Sequence, residues 1–313
     1  MKVRRLDILH LPLLPRYRRK VLTLDNARFL TRGDPLGAAA LLAYLNPRRH
    51  IYTAVAVEGD NTLMGQVILD GGETSARLTF LAPGESADGL TLPLLDHLSL
   101  QAGEWGAFHL LAEVDEHAAA FKRLRHVGFA MYAWQRIWKL AAPPDVGTGL
   151  APVPAPLWRA AASSELIAIQ SLHGQIVPAL LQPVDSAPRK ADGMVSKTKG
   201  ELKAYVSVEA GPLGIWLQPL IHPDSDCVPD KMAALLHDLP RRAGSPVYLC
   251  VRSYQAWLES VLEDLGAEAG PRQAVMVKHL AKLQKAEERI PAVKPSAVSV
   301  QPSGMSRVSK NKA

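Results

Sequence analysis

The sequence predicts two mixed α/β domains in tandem, each a central sheet flanked by helices. Three observations carry that prediction. The length of 313 residues suits two domains better than one, because single domains cluster near about 100–150 residues. The middle is punctuated by Pro143, Pro144, Gly147, Gly149, Pro152, Pro154 and Pro156, a density that fits neither a helix interior nor a central strand. The same order of elements then recurs at an offset of about 138 residues, which sets Gly106 on Gly244 and Gly128 on Gly266. The expected division is a first domain over 1–140, a linker over 141–156, a second domain over 157–285 and a tail over 286–313. The tail carries Pro291, Pro295 and Pro302 among serines and lysines, with no aromatic residue. Such a segment buries too little apolar surface to offset its ordering entropy, so a disordered basic tail is expected.

Each element follows from its pattern. Val3–Leu9 reads as a strand, Leu13–Leu30 as a helix with a long basic face, and Pro35–Leu45 as a second helix. Tyr52–Val57 and Met64–Asp70 are strand-length apolar runs joined at Glu58-Gly59-Asp60-Asn61, a hairpin turn. Ala76–Leu81 continues the meander, and Leu90–Gln101 is helical with Thr91 available to cap it. Phe108–Val114 is a buried strand, Glu116–His126 a helix stopped by Gly128, and Tyr132–Leu140 a closing strand. In the second half the strands are Gly214–Ile221, Pro246–Arg252 and Gln273–Leu280. The helices are Lys231–Leu239 and Gln255–Leu265, the latter ended by Gly266.

Composition narrows the function classes. With 48% apolar and 21% charged residues the chain has the make-up of a soluble globular protein. No apolar run approaches the ~18 residues of a membrane span, so no membrane partner is expected. The stretch after Arg4-Arg5 is broken by Asp7, His10, Pro12 and Pro15, which is not the core of a signal peptide. Two cysteines, Cys227 and Cys250, do not make a disulfide framework, and free thiols suit a cytoplasmic location. The net charge of +6 is spread over short clusters rather than a basic stripe interleaved with aromatics, which disfavours nucleic acid as a partner. His222-Pro223-Asp224-Ser225-Asp226-Cys227 matches no zinc spacing and reads as a loop, so no metal site is expected.

Two stretches carry a family resemblance. Leu110-Leu111-Ala112-Glu113-Val114, a helix, and Val127-Gly128-Phe129 resemble the second half of a GNAT (GCN5-related N-acetyltransferase) domain. Leu249-Cys250-Val251 through Leu265-Gly266-Ala267 to Met276–Leu280 is similar to the same segment again. The resemblance implies two tandem GNAT-like domains, the second more degenerate. It also implies acetyl-CoA as co-substrate, with its pantetheine arm along a splayed strand and its pyrophosphate at a glycine-rich helix start.

Carried onto this sequence, the resemblance puts Leu81 on that strand and Gly89, Leu90 and Thr91 in the pyrophosphate loop. Ser86 stands where the family has Arg or Gln, Thr91 replaces its second small residue, and Asp88 sets a negative charge beside the anion. The second loop, Cys227–Met232, has no glycine and includes Pro229, so any acetyl-CoA is expected in the first half. Leu124 and Leu262 occupy the positions of the family's tyrosine acid. Glu113 and His117 are the candidate bases for an attacking amine. Two readings follow: an N-acetyltransferase acting on a small-molecule or protein amine, or a non-catalytic GNAT-like ligand- or protein-binding module. A nucleic-acid-associated protein is a third, weaker reading. The oligomeric state is not readable from the sequence.

Overall fold

The computed structural model describes residues 2–6, 17–37, 49–84, 88–140, 157–239 and 245–280. The linker and tail expected from the sequence, and most of the helix expected over 35–45, lie outside these residues.

Thirteen strands form one mixed sheet among the described residues. The first half contributes β1 (Lys2–Arg5), β2 (Leu22–Thr23), β3 (Arg49–Glu58), β4 (Asn61–Asp70), β5 (Ser75–Ala82), β6 (His109–Asp115) and β7 (Ala130–Leu140). The second contributes β8 (Arg159–Ala160), β9 (Gly193–Thr198), β10 (Glu201–Ala210), β11 (Ile215–Ile221), β12 (Val247–Arg252) and β13 (Glu268–His279). The order across the sheet is β1-β3-β4-β5-β6-β13-β7-β12-β11-β10-β9-β8, with β2 paired to β5. β13, the last strand among the described residues, therefore lies between β6 and β7, and β7 pairs with β12 of the second half. The halves exchange their closing strands.

The exchange is symmetric. β7 and β13 run antiparallel with Gln135 directly opposite Gln273, flanked by Arg136 opposite Arg272. These glutamines are 138 residues apart, the offset of the sequence repeat, so Gln135 faces its own duplicate across a local two-fold.

Among the described residues six α-helices cover the sheet: α1 (Asn26–Arg32), α2 (Asp88–Glu104), α3 (Ala119–His126), α4 (Leu166–Ile176), α5 (Val228–Asp238) and α6 (Leu258–Asp264). Side chains alternate across a strand, so each strand feeds two faces. On one face Leu94, Leu95 and Leu98 of α2 pack with Leu110, Ala112 and Val114 of β6. Leu235 and Leu236 of α5 and Leu258 and Leu262 of α6 repeat that packing against β11 and β12. On the other face the covering elements cross over. Ala27 and Leu30 of the first-half helix α1 pack on Trp216 and Cys250 of the second half. Val184 of the second half reaches Leu111 and Val277. Leu213 N–H donates to Thr31 O at 3.0 Å, and a Cβ on Gly211 would lie 2.2 Å from that same oxygen. Only glycine lets the β10–β11 turn approach α1 this closely.

The structure departs from the sequence reading in several elements. Of the helix expected over 13–30, residues 13–16 lie outside the described residues; over the described part a 3-10 turn at Arg18–Lys20 is followed by β2 and then by α1 capped by Asp25, whose Oδ1 accepts from Arg28 N–H at 3.3 Å. Leu22 and Thr23 form a strand that pairs the edge of β5 left open where β6 departs, an edge that a helix there would leave unsatisfied. The helix expected from Leu90 begins at Asp88 and encloses Thr91. The β9–β10 hairpin and α4 were not foreseen.

Candidate functional site

Each half contains one parallel strand pair that stops early. In the first, β5 and β6 pair only from Ser75 opposite His109 to Arg77 opposite Leu111. The register of β5 against β4 then shifts between Leu78 and Phe80, making Thr79 an extra residue that re-aims the strand. The chain's own N-terminal segment enters at this point. Leu22 and Thr23 pair with Leu81 and Phe80. Leu24 N–H donates to Thr79 O and Leu24 O accepts from Glu113 N–H, each at 2.9 Å, while Gly84 N–H donates to Lys20 O at 2.7 Å. A Cβ on Gly84 would fall 2.8 Å from Leu22 Cβ, so glycine lets the segment close over the end of β5. The space between the two strands is filled by main chain.

The expected site residues are placed as follows. Leu81 is buried, with Gly65 on one side and Leu22 on the other. Gly89 lies in the first turn of α2 with open space beside it. Leu90 is in the core, and Thr91 is buried with no partner for Oγ1 among the described residues. Residues 85–87 of the loop lie outside the described residues. Glu113 is only 3% exposed. Its carboxylate accepts from Asn26 N–H at 3.1 Å and Asn26 Nδ2 at 2.8 Å, with Arg77 Nη1 at 3.5 Å. His117 is exposed at the surface, held through its N–H to Asp115 Oδ1 at 2.8 Å. The two candidate bases are thus not in equivalent settings: one is tied into the interior and the other stands in solvent. Leu124 and Leu262 are core residues.

Glu113 opens a polar row that crosses four neighbouring strands. Asn26 Nδ2 also donates to Gln273 Oε1 at 3.0 Å, Gln135 Nε2 donates to the same oxygen at 3.0 Å, and Arg252 Nη1 donates to Gln135 Oε1 at 2.7 Å. Beyond it, Tyr254 OH donates to Asp185 Oδ2 at 2.9 Å. None of Gln135, Gln273, Arg252 or Asp185 was singled out from the sequence. The repeat offset aligned the two glutamines, but their meeting needs the strand exchange.

The second early-stopping pair is β11 with β12, joined only from Ile215 opposite Val247 to Leu217 opposite Leu249. The next ladder donor on β11 would come from Pro219, which has no N–H. Ile221 O accepts from the buried Gln255 Nε2 at 3.1 Å. At the start of α5, Lys231 turns inward and donates from Nζ to Thr198 Oγ1 at 2.8 Å and Ser225 Oγ at 3.1 Å. Burial pulls its ammonium below the usual lysine range, against the opposing charge of Asp226. The 222–227 loop is held locally, with Asp224 N–H donating to His222 Nδ1 at 3.2 Å. No cluster of three or more potential metal ligands occurs among the described residues.

Where the first splay is filled by backbone, the second opens on a cavity of about 280 Å³ between the halves. Its walls include Arg77 and Tyr132 from the first half and His173, Asp185, Arg252 and Tyr254 from the second. Burial pushes the Tyr132 hydroxyl up to about 12 and lowers the pKa of His173. These side chains stay uncharged at neutral pH beside two guanidinium groups.

Two solved structures share this architecture over most of the chain. A tandem GNAT protein from the clavulanic acid biosynthesis pathway superposes with a TM-score of 0.53 at 16% identity, over 89% of this chain and 98% of that one. A GCN5-related N-acetyltransferase from Sphaerobacter thermophilus gives 0.53 at 12% identity, over 89% and 95%. The chain has a tandem GNAT fold. No family model matches the sequence and no curated protein matches it, so for this tandem GNAT-fold protein the likeness is one of architecture. Among the described residues no helix is long and apolar enough to cross a membrane.

Proposed function

We propose that this GNAT-fold protein is a ligand-binding member of its fold in which the first half does not receive an acyl-CoA. One observation carries the reading: Lys20–Leu24 takes the main-chain hydrogen bonds along Phe80–Gly84. In the family, that strand edge holds the pantetheine arm. A backbone group already paired inside the protein gains nothing by exchanging its partner for a ligand unless the segment leaves. In the second half, Pro219 removes a donor, and Lys231 is committed to Ser225 and Thr198. The family's tyrosine acid is a buried leucine in both halves.

The test is calorimetric titration of the full chain with acetyl-CoA, followed by transfer assays on a panel of small amines and peptides. No saturable binding tighter than about 1 mM and no transfer are expected. Saturable binding that Asp88→Asn tightens would place the phosphates at the start of α2 and overturn the reading.

A second reading, an acetyl-CoA-dependent N-acetyltransferase, is favoured by the open approach to Gly89 in the first turn of α2. It requires Lys20–Leu24 to leave and Glu113 to exchange Asn26 for the amine. On that reading Glu113→Gln lowers turnover by about 10²–10⁴-fold.

A further inference from the structure

We infer that the cavity between the two halves is a binding site for a small zwitterionic carboxylate of amino-acid type, with Arg252 as its carboxylate anchor. This rests on the ligand-binding reading above and goes beyond it in naming the place and the chemistry.

Arg252 is 6% exposed and lines the cavity. Its Nη1 is spent on Gln135, but its Nε has no hydrogen-bond partner among the described residues. Asp185 Oδ2 lies 3.9 Å from that nitrogen, beyond hydrogen-bond range, and already accepts from Tyr254. A buried guanidinium is seldom left with an uncommitted edge, because each unmade bond to a charged donor is costly. The Nε side of a guanidinium presents parallel donors that match the two oxygens of a carboxylate.

His173, on α4, gives a second and independent sign. It is also 6% exposed and lines the same cavity. Its Nε2 has no partner among the described residues. Two buried, unpartnered nitrogens from different elements thus border one small space.

The walls also limit the ligand's charge and size. Arg77, which faces Glu113 at 3.5 Å, supplies a second cation from the first half; the carboxylates lining the cavity are Asp185, which accepts from Tyr254, the half-buried Asp70, and Glu73 and Glu209, which are exposed at the rim. That arrangement favours a molecule whose anionic end lies inward and whose cationic end faces out. A volume of about 280 Å³ sits at the lower edge of small-molecule sites, about 300 Å³, and suits a ligand of amino-acid size. A broader cleft of about 490 Å³ shares Arg77, Tyr205, Ser207 and Glu209 as walls.

The test titrates the full chain with each L-amino acid, with acetate, succinate and inorganic phosphate, and with ethanolamine as an amine without a carboxylate. At least one amino acid should bind with a Kd of about 1 mM or tighter, and ethanolamine should not. Arg252→Lys keeps the charge but loses the fork, and should weaken that amino acid at least about tenfold. Arg252 belongs to the buried polar row, so that variant can fail to fold; Glu209→Gln on the exposed rim then decides. It should weaken the amino acid several-fold and leave its des-amino analogue unchanged. Binding of succinate or phosphate but of no amino acid overturns the zwitterion assignment. No binding by any of these, or amino-acid binding unchanged in folded Arg252→Lys or in Glu209→Gln, overturns the site. Acetyl-CoA binding is measured separately, so failure of the ligand-binding reading is distinguishable from failure of this one.

Discussion

Glu113 shows how residue type and residue setting can part company. A carboxylate at the end of a GNAT-like strand reads as a base, yet here its oxygens accept from Asn26 and face Arg77. Its first task is to satisfy the start of α1 and the polar row behind it. Nothing in the local sequence around Glu113 announces Asn26, which lies 87 residues away. Cys250 sits in the apolar strand expected over Pro246–Arg252, and it is buried with its Sγ donating to Gln135 Oε1 at 3.3 Å. Burial pushes that thiol up to about 12, whereas Cys227 is exposed. A native chain should therefore release one equivalent of thiol to a disulfide reagent at pH 8, and two after denaturation. Two fast equivalents in the native state would show that the β12 face is open.

At the scale of elements, the clearest signals were glycines at helix ends. Gly128 and Gly266 have φ of +90° and +76°, as a left-handed stop requires. The hairpin at Glu58–Asn61 was equally direct, with those two residues paired across Gly59-Asp60. β2 was not legible, because two residues become a strand only when an unpaired edge is waiting for them. The crossed docking of α1 was hidden for the same reason: its partner is a turn in the other half. That docking makes a sharp prediction. Gly211→Ala sets a methyl on Thr31 O, backbone against backbone, where no flexible side chain can yield. It should cost about 1–3 kcal/mol, the usual penalty of overpacking, or more, read as a lower urea midpoint with unchanged m. A midpoint within error of wild type would mean that α1 is not seated on this turn.

For the whole molecule, the repeat and its spacing were readable, but the exchange of closing strands was not. Both Tyr132–Leu140 and Gln273–Leu280 looked like last strands of separate sheets, and hydrophobic pattern does not say which sheet a strand joins. Because β13 sits between β6 and β7, neither half has a complete sheet alone. Residues 1–150 expressed by themselves should be insoluble or lack a cooperative melt. Co-expression with 151–313 should restore a soluble 1:1 complex that melts as one transition, seen by calorimetry. Independent cooperative folding of either fragment would contradict the exchange. The same placement bears on synthesis. β7 ends at Leu140 and β13 at His279, so at about 5–20 residues per second the ribosome needs roughly 7–28 s to deliver the strand that the N-terminal sheet lacks. Through that interval the edges of β6 and β7 that β13 will fill stay unpaired, and an unpaired strand edge is open to pairing with another chain.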